Sequence, residues 1–111
     1  MNSNKYEMIF CIVNAGFAVE AMESAKKAGA NGGTILRARG TANPEAEEFY
    51  GISFQPDKEI LWLIVPKEIK DDVMHKLYED VGLDTPGKGI AFSLPLSHAI
   101  GLHEQIMAKK I

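Results

Sequence analysis

Apolar residues fall into four short runs, separated by two stretches with helical spacing. Residues 8–13 (MIFCIV) form a strand-like run bounded by Asn14 and Gly16. Over residues 17–28, Phe17, Ala21, Met22, Ala25 and Ala28 recur on one helix face, and Gly29 stands where a helix C-terminal glycine belongs. Residues 33–39 predict a second strand and residues 60–65 (ILWLIV) a third. Pro66 suits a helix start, after which Ile69, Val73, Leu77 and Val81 repeat at i, i+4, i+8 and i+12. Asp72 and Lys76 form a favourable i,i+4 pair in this second helix, and Gly82 ends it. Residues 90–96 read as a fourth strand. The tail, residues 97–111, carries an amphipathic pattern from about Leu102 that predicts a last short helix. Two loops stand out. Residues 40–59 contain Pro44, Gly51, Pro56 and the acidic Glu45, Glu47 and Glu48, and a loop this long in a small domain is functional or mobile. Residues 83–89 hold Thr85, Pro86, Gly87, Lys88 and Gly89.

The order βαββαβ predicts an α+β fold, a ferredoxin-like sandwich in which both helices cover one face of an antiparallel sheet. The second and fourth strands fall at the edges. Pro95 in the fourth strand fits, because proline is tolerated at an edge and not in a central ladder. This topology also sets the two glycine turns, around Gly32 and around Gly87, at one end of the sheet. A sheet with one wet face should alternate apolar and polar residues. ILWLIV does not alternate, and MIFCIV barely does, so both faces of the central strands call for burial. There is helix for one face only. Another subunit is the simplest cover for the other, which predicts an obligate oligomer.

Composition narrows the range of functions. With 111 residues the chain makes one domain, 1–111, just large enough for a single core. Its 46% hydrophobic and 24% charged residues fit a folded globular protein. A net charge of −3 argues against nucleic acid, which selects basic surfaces. No apolar run approaches the roughly 20 residues of a membrane span. The start, MNSNKYE, lacks an apolar signal core, so a cytoplasmic location is expected. Cys11 is the one cysteine, which excludes an intrachain disulfide and reads as a buried thiol. His75 sits on the second helix and His98 and His103 lie in the tail, a spacing that does not build a metal site within one chain. No catalytic signature is present, and the carboxylates are scattered, so the chain reads as a binding protein and not an enzyme. Trp62 and Tyr78 read as core or interface residues.

Residues 28–40, AGANGGTILRARG, carry the most chemistry. Gly29, Gly32 and Gly33 free backbone amides, and Arg37, Arg39 and Gly40 follow along the next strand. Such a turn suits an anion, most simply a nucleotide phosphate. Here the chain resembles the PII nitrogen-signalling proteins. The resemblance covers roughly residues 6–102. It is most specific in residues 28–40, in residues 54–66 (FQPDKEILWLIVP) and in residues 85–96 (TPGKGIAFSLPL), which correspond to the family's glycine turn and start of the T-loop, its third strand, and its B-loop with fourth strand.

The resemblance implies a homotrimer with a nucleotide cleft between each pair of subunits, and a T-loop, here residues 40–59, that docks onto a regulated enzyme, transporter or channel. By position, Gly32, Gly33 and Thr34 would border the base and ribose, with Leu63, Ile64 and Val65 packing on the base. Gly40 and the B-loop residues Gly87, Lys88 and Gly89 would approach the phosphates. Three departures separate this chain from the family pattern. The phosphate-gripping B-loop lysine falls at Ile90, with Lys88 two residues away. The two arginines that reach in from the neighbouring subunit fall at Gly101 and His103. The T-loop is shorter, and the family's glutamine for Mg-ATP and 2-oxoglutarate has no clear counterpart. Arg37, Arg39 and Lys88 would replace part of that charge, and in a trimer His103 would reach a neighbour's cleft, where its phosphate contact would depend on pH. AMP, ADP, a cyclic or dinucleotide, or another small anion therefore fits better than ATP with 2-oxoglutarate. Tyr50 lies where the family carries a modifiable tyrosine, and the shortened loop around it argues against that role. Two other readings of the same pattern are a CutA-type trimeric protein and a small enzyme with an inter-subunit site.

Overall fold

A computed structural model describes residues 5–41, 56–85 and 87–102 of the chain. Strand β1 spans Tyr6–Asn14, helix α1 Ala18–Lys27, β2 Gly33–Arg39, β3 Asp57–Pro66, α2 Lys70–Val81 and β4 Gly89–Pro95, with a 3₁₀ turn, Lys67–Ile69, leading into α2. The sheet order is β2-β3-β1-β4 and every pairing is antiparallel. The expected α+β ferredoxin-like sandwich is therefore present, with β2 and β4 at the edges and Pro95 in an edge strand.

The period of two in β1 and β3 sorts their side chains onto two faces. Ile9, Cys11, Val13, Leu61, Leu63 and Val65 turn toward the helices and are buried. Helix α1 meets them with Ala18, Ala21 and Ala25, whose small side chains let its backbone lie close to the sheet. Val73 and Leu77 of α2 complete the core. Between the helices, the buried Ser24 hydroxyl lies 3.0 Å from both Lys76 O and Asp80 Oδ2 and can donate to one of them at a time. Burial pushes the Cys11 thiol up to about 11, as befits a cysteine used for packing.

Helix α1 has no cap of its own, because Phe17 at its N-cap makes no side-chain hydrogen bond. The cap comes from β3 instead. Glu59 Oε1 accepts from Gly16 N at 2.9 Å and Ala18 N at 3.1 Å, placing a carboxylate at the positive end of the helix. Helix α2 ends as expected at Gly82, which adopts a left-handed φ of 77°.

Two details differ from expectation. Strand β3 begins at Asp57, so the loop after Arg39 is shorter than residues 40–59; Gly40 N donates to Pro56 O at 2.7 Å and closes its base. The extra residues, Asp57, Lys58 and Glu59, pair with Arg39, Ala38 and Arg37, a charged ladder that carries no apolar strand signal. Lys76 reaches forward to Asp80, at 3.9 Å, and not back to Asp72. The acidic residues and Tyr50 of the loop, and the tail helix expected beyond Leu102, lie outside the described residues.

Candidate functional site

The second face of the sheet is apolar, and among the described residues no helix covers it. Met8, Phe10 and Ile12 of β1 stand beside Ile60, Trp62 and Ile64 of β3 and Ile90, Phe92 and Leu94 of β4. Phe10 forms the middle of an aromatic row, with its ring centroid 4.8 Å from Trp62 and 5.3 Å from Phe92. In the single chain Trp62 and Phe92 each remain 38% exposed, Leu94 44% and Ile90 57%. This is the surface that the non-alternating strands called for, and the two helices do not reach it.

A groove of about 540 Å³ opens on this face at the β2 edge, lined by Asn31, Gly32, Gly33, Thr34, Leu36, Trp62, Ile64 and Leu102. Thr34 stands opposite Trp62 and Leu36 opposite Ile60, so the cross-strand register builds the groove floor. Gly33 has no room for a side chain: a Cβ there would lie 2.5 Å from Leu63 Cδ2 and 3.0 Å from Trp62 O. Gly32 meets nothing within 4 Å and leaves the groove mouth open. Among the described residues that line the groove none has an ionisable side chain. It suits a flat, uncharged group offering a few hydrogen bonds, with Thr34 and Asn31 as partners.

The structure brings together Gly32, Gly33, Thr34 and Ile64 of the expected residues. It corrects two others. Leu63 and Val65 point to the helix side and are wholly buried, because adjacent strand residues face opposite ways, so Ile64 alone of the three offers its side chain to the groove. Trp62, read from sequence as core or interface, lines the groove; its register against Thr34 was the missing signal.

The cationic residues lie elsewhere. Arg37 and Arg39 are on the opposite face from Thr34 and Leu36, facing Glu59 and Asp57 across the ladder, in a hollow of about 390 Å³ that also includes Lys58. Gly40 follows at the loop base. Gly87 and Gly89, with φ of 84° and 149°, shape the turn into β4, and Lys88 Nζ lies 5.8 Å from the Phe17 ring centroid. A Cβ at Gly89 would run into the Ile12 carbonyl, so the turn lies against β1. His103 lies outside the described residues.

One expectation fails here. The two glycine turns do not share an end of the sheet. Gly33 lies level with Leu63 and Ile9, and Gly89 with Val13 and Glu59. Four rungs separate them, about 14 Å at strand rise, and the two edges lie three strand spacings apart, about 14 Å more. The antiparallel connection through the 40–56 loop places the start of β2 at the opposite end from the start of β4. Within one chain the groove and the Gly87–Gly89 turn cannot touch the same small ligand.

No protein-family model and no curated protein sequence matches the chain. Solved structures do. Arabidopsis thaliana PII bound to citrate superposes with a TM-score of 0.67 at 22% identity, over 87% of this chain and 80% of that one. The fold is that of the PII proteins. A PII-like signalling protein of Thermus thermophilus gives 0.61 at 20% identity, covering 81% of this chain and 84% of its own. The Bacillus subtilis GlnK–ATP complex gives 0.62 at 16% identity, covering 90% and 88%. The PII fold thus extends over most of the present chain.

Proposed function

We propose that this chain is a PII-like regulatory protein that assembles as a homotrimer and binds an adenine nucleotide between subunits. The groove at Thr34, Trp62 and Ile64 takes the base. The neighbouring subunit's Gly87–Gly89 turn closes on the phosphates, with Lys88 and Gly40 nearby. AMP or ADP is preferred to ATP, because Arg37 and Arg39 already face Glu59 and Asp57, which leaves Lys88 as the cation nearest the phosphates among the described residues. Occupancy is passed through the segment between Gly40 and Pro56 to a transporter or enzyme in the cytoplasm. The protein is a sensor and not a catalyst.

The observation that carries this reading is the split site. Among the described residues, a groove without ionisable side chains and an amide-rich turn sit at opposite corners of one sheet, and neither helix covers the apolar face between them. Packing copies face to face covers that surface and brings one chain's turn to another's groove, the arrangement that the PII resemblance implies. Two of the solved neighbours support the binding of a small effector, one being a complex with ATP and one bound to citrate. Among the described residues no group of three or more His, Cys, Asp or Glu side chains is placed to hold a metal.

Titration calorimetry with AMP, ADP, ATP, cyclic nucleotides, 2-oxoglutarate and bicarbonate tests the proposal. Micromolar binding of AMP or ADP at one site per chain is expected, and silence across the whole panel would sink it.

A further inference from the structure

The Asn14 side chain joins two segments that are far apart in sequence. Its Oδ1 accepts from Lys58 Nζ at 2.6 Å, and its Nδ2 donates to Gly87 O at 3.3 Å. The chemistry of the partners fixes the orientation of the amide. An ammonium only donates and a carbonyl only accepts, so the flipped amide would oppose like to like at both ends. Lys58 belongs to the base of the 40–56 loop, which is held together by Gly40 N to Pro56 O at 2.7 Å and Ala15 N to Asp57 O at 3.0 Å. Gly87 belongs to the turn before β4, held by Lys88 N to Thr85 O at 3.2 Å. Asn14, the last residue of β1, sits between these loops and bonds to both.

We propose that Asn14 is a positioning residue, a two-ended clip that makes the base of the 40–56 loop sense the state of the Gly87–Gly89 turn. The bond to Lys58 is short and charge-assisted, and the bond to Gly87 is longer and neutral, so the Gly87 end opens first. A shift of the turn on ligand binding changes the pull on the amide, and the amide passes it to Lys58 and the loop base. The clip itself stands on the geometry of the free chain; its use in signalling rests on the function proposed above.

Asn14→Asp separates the two ends. The carboxylate keeps and strengthens the Lys58 contact but sets an acceptor against the Gly87 carbonyl. Asn14→Leu removes both contacts at similar volume. Amide hydrogen exchange of Lys88 reports the turn, and that of Gly40 and Ala15 the loop base. Without ligand, Asn14→Asp is expected to speed Lys88 exchange about threefold to tenfold and to leave Gly40 unchanged, whereas Asn14→Leu speeds both. With ADP added, Gly40 exchange changes in the unmodified protein and ceases to respond in Asn14→Asp, although Lys88 is still protected. Unchanged Gly40 and Lys88 exchange in the ligand-free variants would overturn the clip. An undiminished Gly40 response to ADP in Asn14→Asp would overturn the coupling. If ADP binds nowhere on the unmodified protein, the nucleotide reading fails and the ligand-free arm still decides the clip. If Asn14→Leu does not fold, the ligand-free contrast within Asn14→Asp is sufficient.

Discussion

Gly33 lies opposite Leu63 on the β2–β3 ladder with so little clearance that a methyl group on Gly33 would sit 2.5 Å from Leu63 Cδ2. Its neighbour Gly32 borders the same groove with open space around it. Gly33→Ala should therefore lower stability by about 1–3 kcal/mol through overpacking, while Gly32→Ala should change it by less than about 0.5 kcal/mol. Urea midpoints of the two variants check this. Equal midpoints would show that the close approach of β2 to Leu63 is wrong.

Glu59 holds the start of α1 from across the sheet. Glu59→Ala should cost about 1–2 kcal/mol, the usual worth of a lost N-cap, and amide exchange should rise first at Ala18. Glu59→Gln keeps an acceptor but not the charge, and should fall between the two. The loss should be local to the first turn of α1, with exchange in α2 unaffected.

Cys11 gives a pH signature. Burial raises its thiol from 9.0 to about 11, so the folded state holds this proton more tightly than the unfolded chain. The stabilisation is full below pH 9 and is lost as pH rises toward about 11. The difference in unfolding free energy between the unmodified protein and Cys11→Ala should shrink over that window, by an amount of order 2 kcal/mol. A thiol reagent at pH 8 should leave the native protein unlabelled and modify it rapidly in urea. Labelling of the native protein at the unfolded rate would contradict the buried position.

Trp62 is the only tryptophan in the chain, so intrinsic fluorescence reports on the groove directly. ADP should shift or quench that emission with a midpoint equal to its calorimetric affinity. Trp62→Ala should weaken binding at least tenfold, in line with about 1–3 kcal/mol for a base stacked on an aromatic ring. Binding with no change in emission would move the base out of this groove.

Most of the fold could be read in the sequence because it follows from apolar periodicity. MIFCIV and ILWLIV mark β1 and β3, the Ile69-Val73-Leu77-Val81 repeat marks the 3₁₀ turn and α2, and Gly82 marks a helix end through its backbone alone. The start of β3 was hidden because Asp57, Lys58 and Glu59 pair by charge against β2, which no hydrophobic pattern shows. The site was less legible. Gly32, Gly33 and Thr34 announced themselves by composition, but Trp62 joins them only through cross-strand register. Leu63 and Val65 were misplaced because neighbouring strand residues point to opposite faces. The relation between the two glycine turns depends on which ends of β2 and β4 they occupy, a property of connectivity and not of either turn.

The central claim is that one ligand site is built from two chains, and mixing variants tests it most directly. Trp62→Ala disables the groove and Lys88→Ala the turn, and each alone should bind ADP poorly. Co-refolded in equal amounts, they should assemble so that about a quarter of the clefts pair an intact groove with an intact turn. Calorimetry of the mixture should then recover ADP binding at near-normal affinity in about that fraction of sites. A mixture that binds no better than its parents would contradict a site shared between subunits.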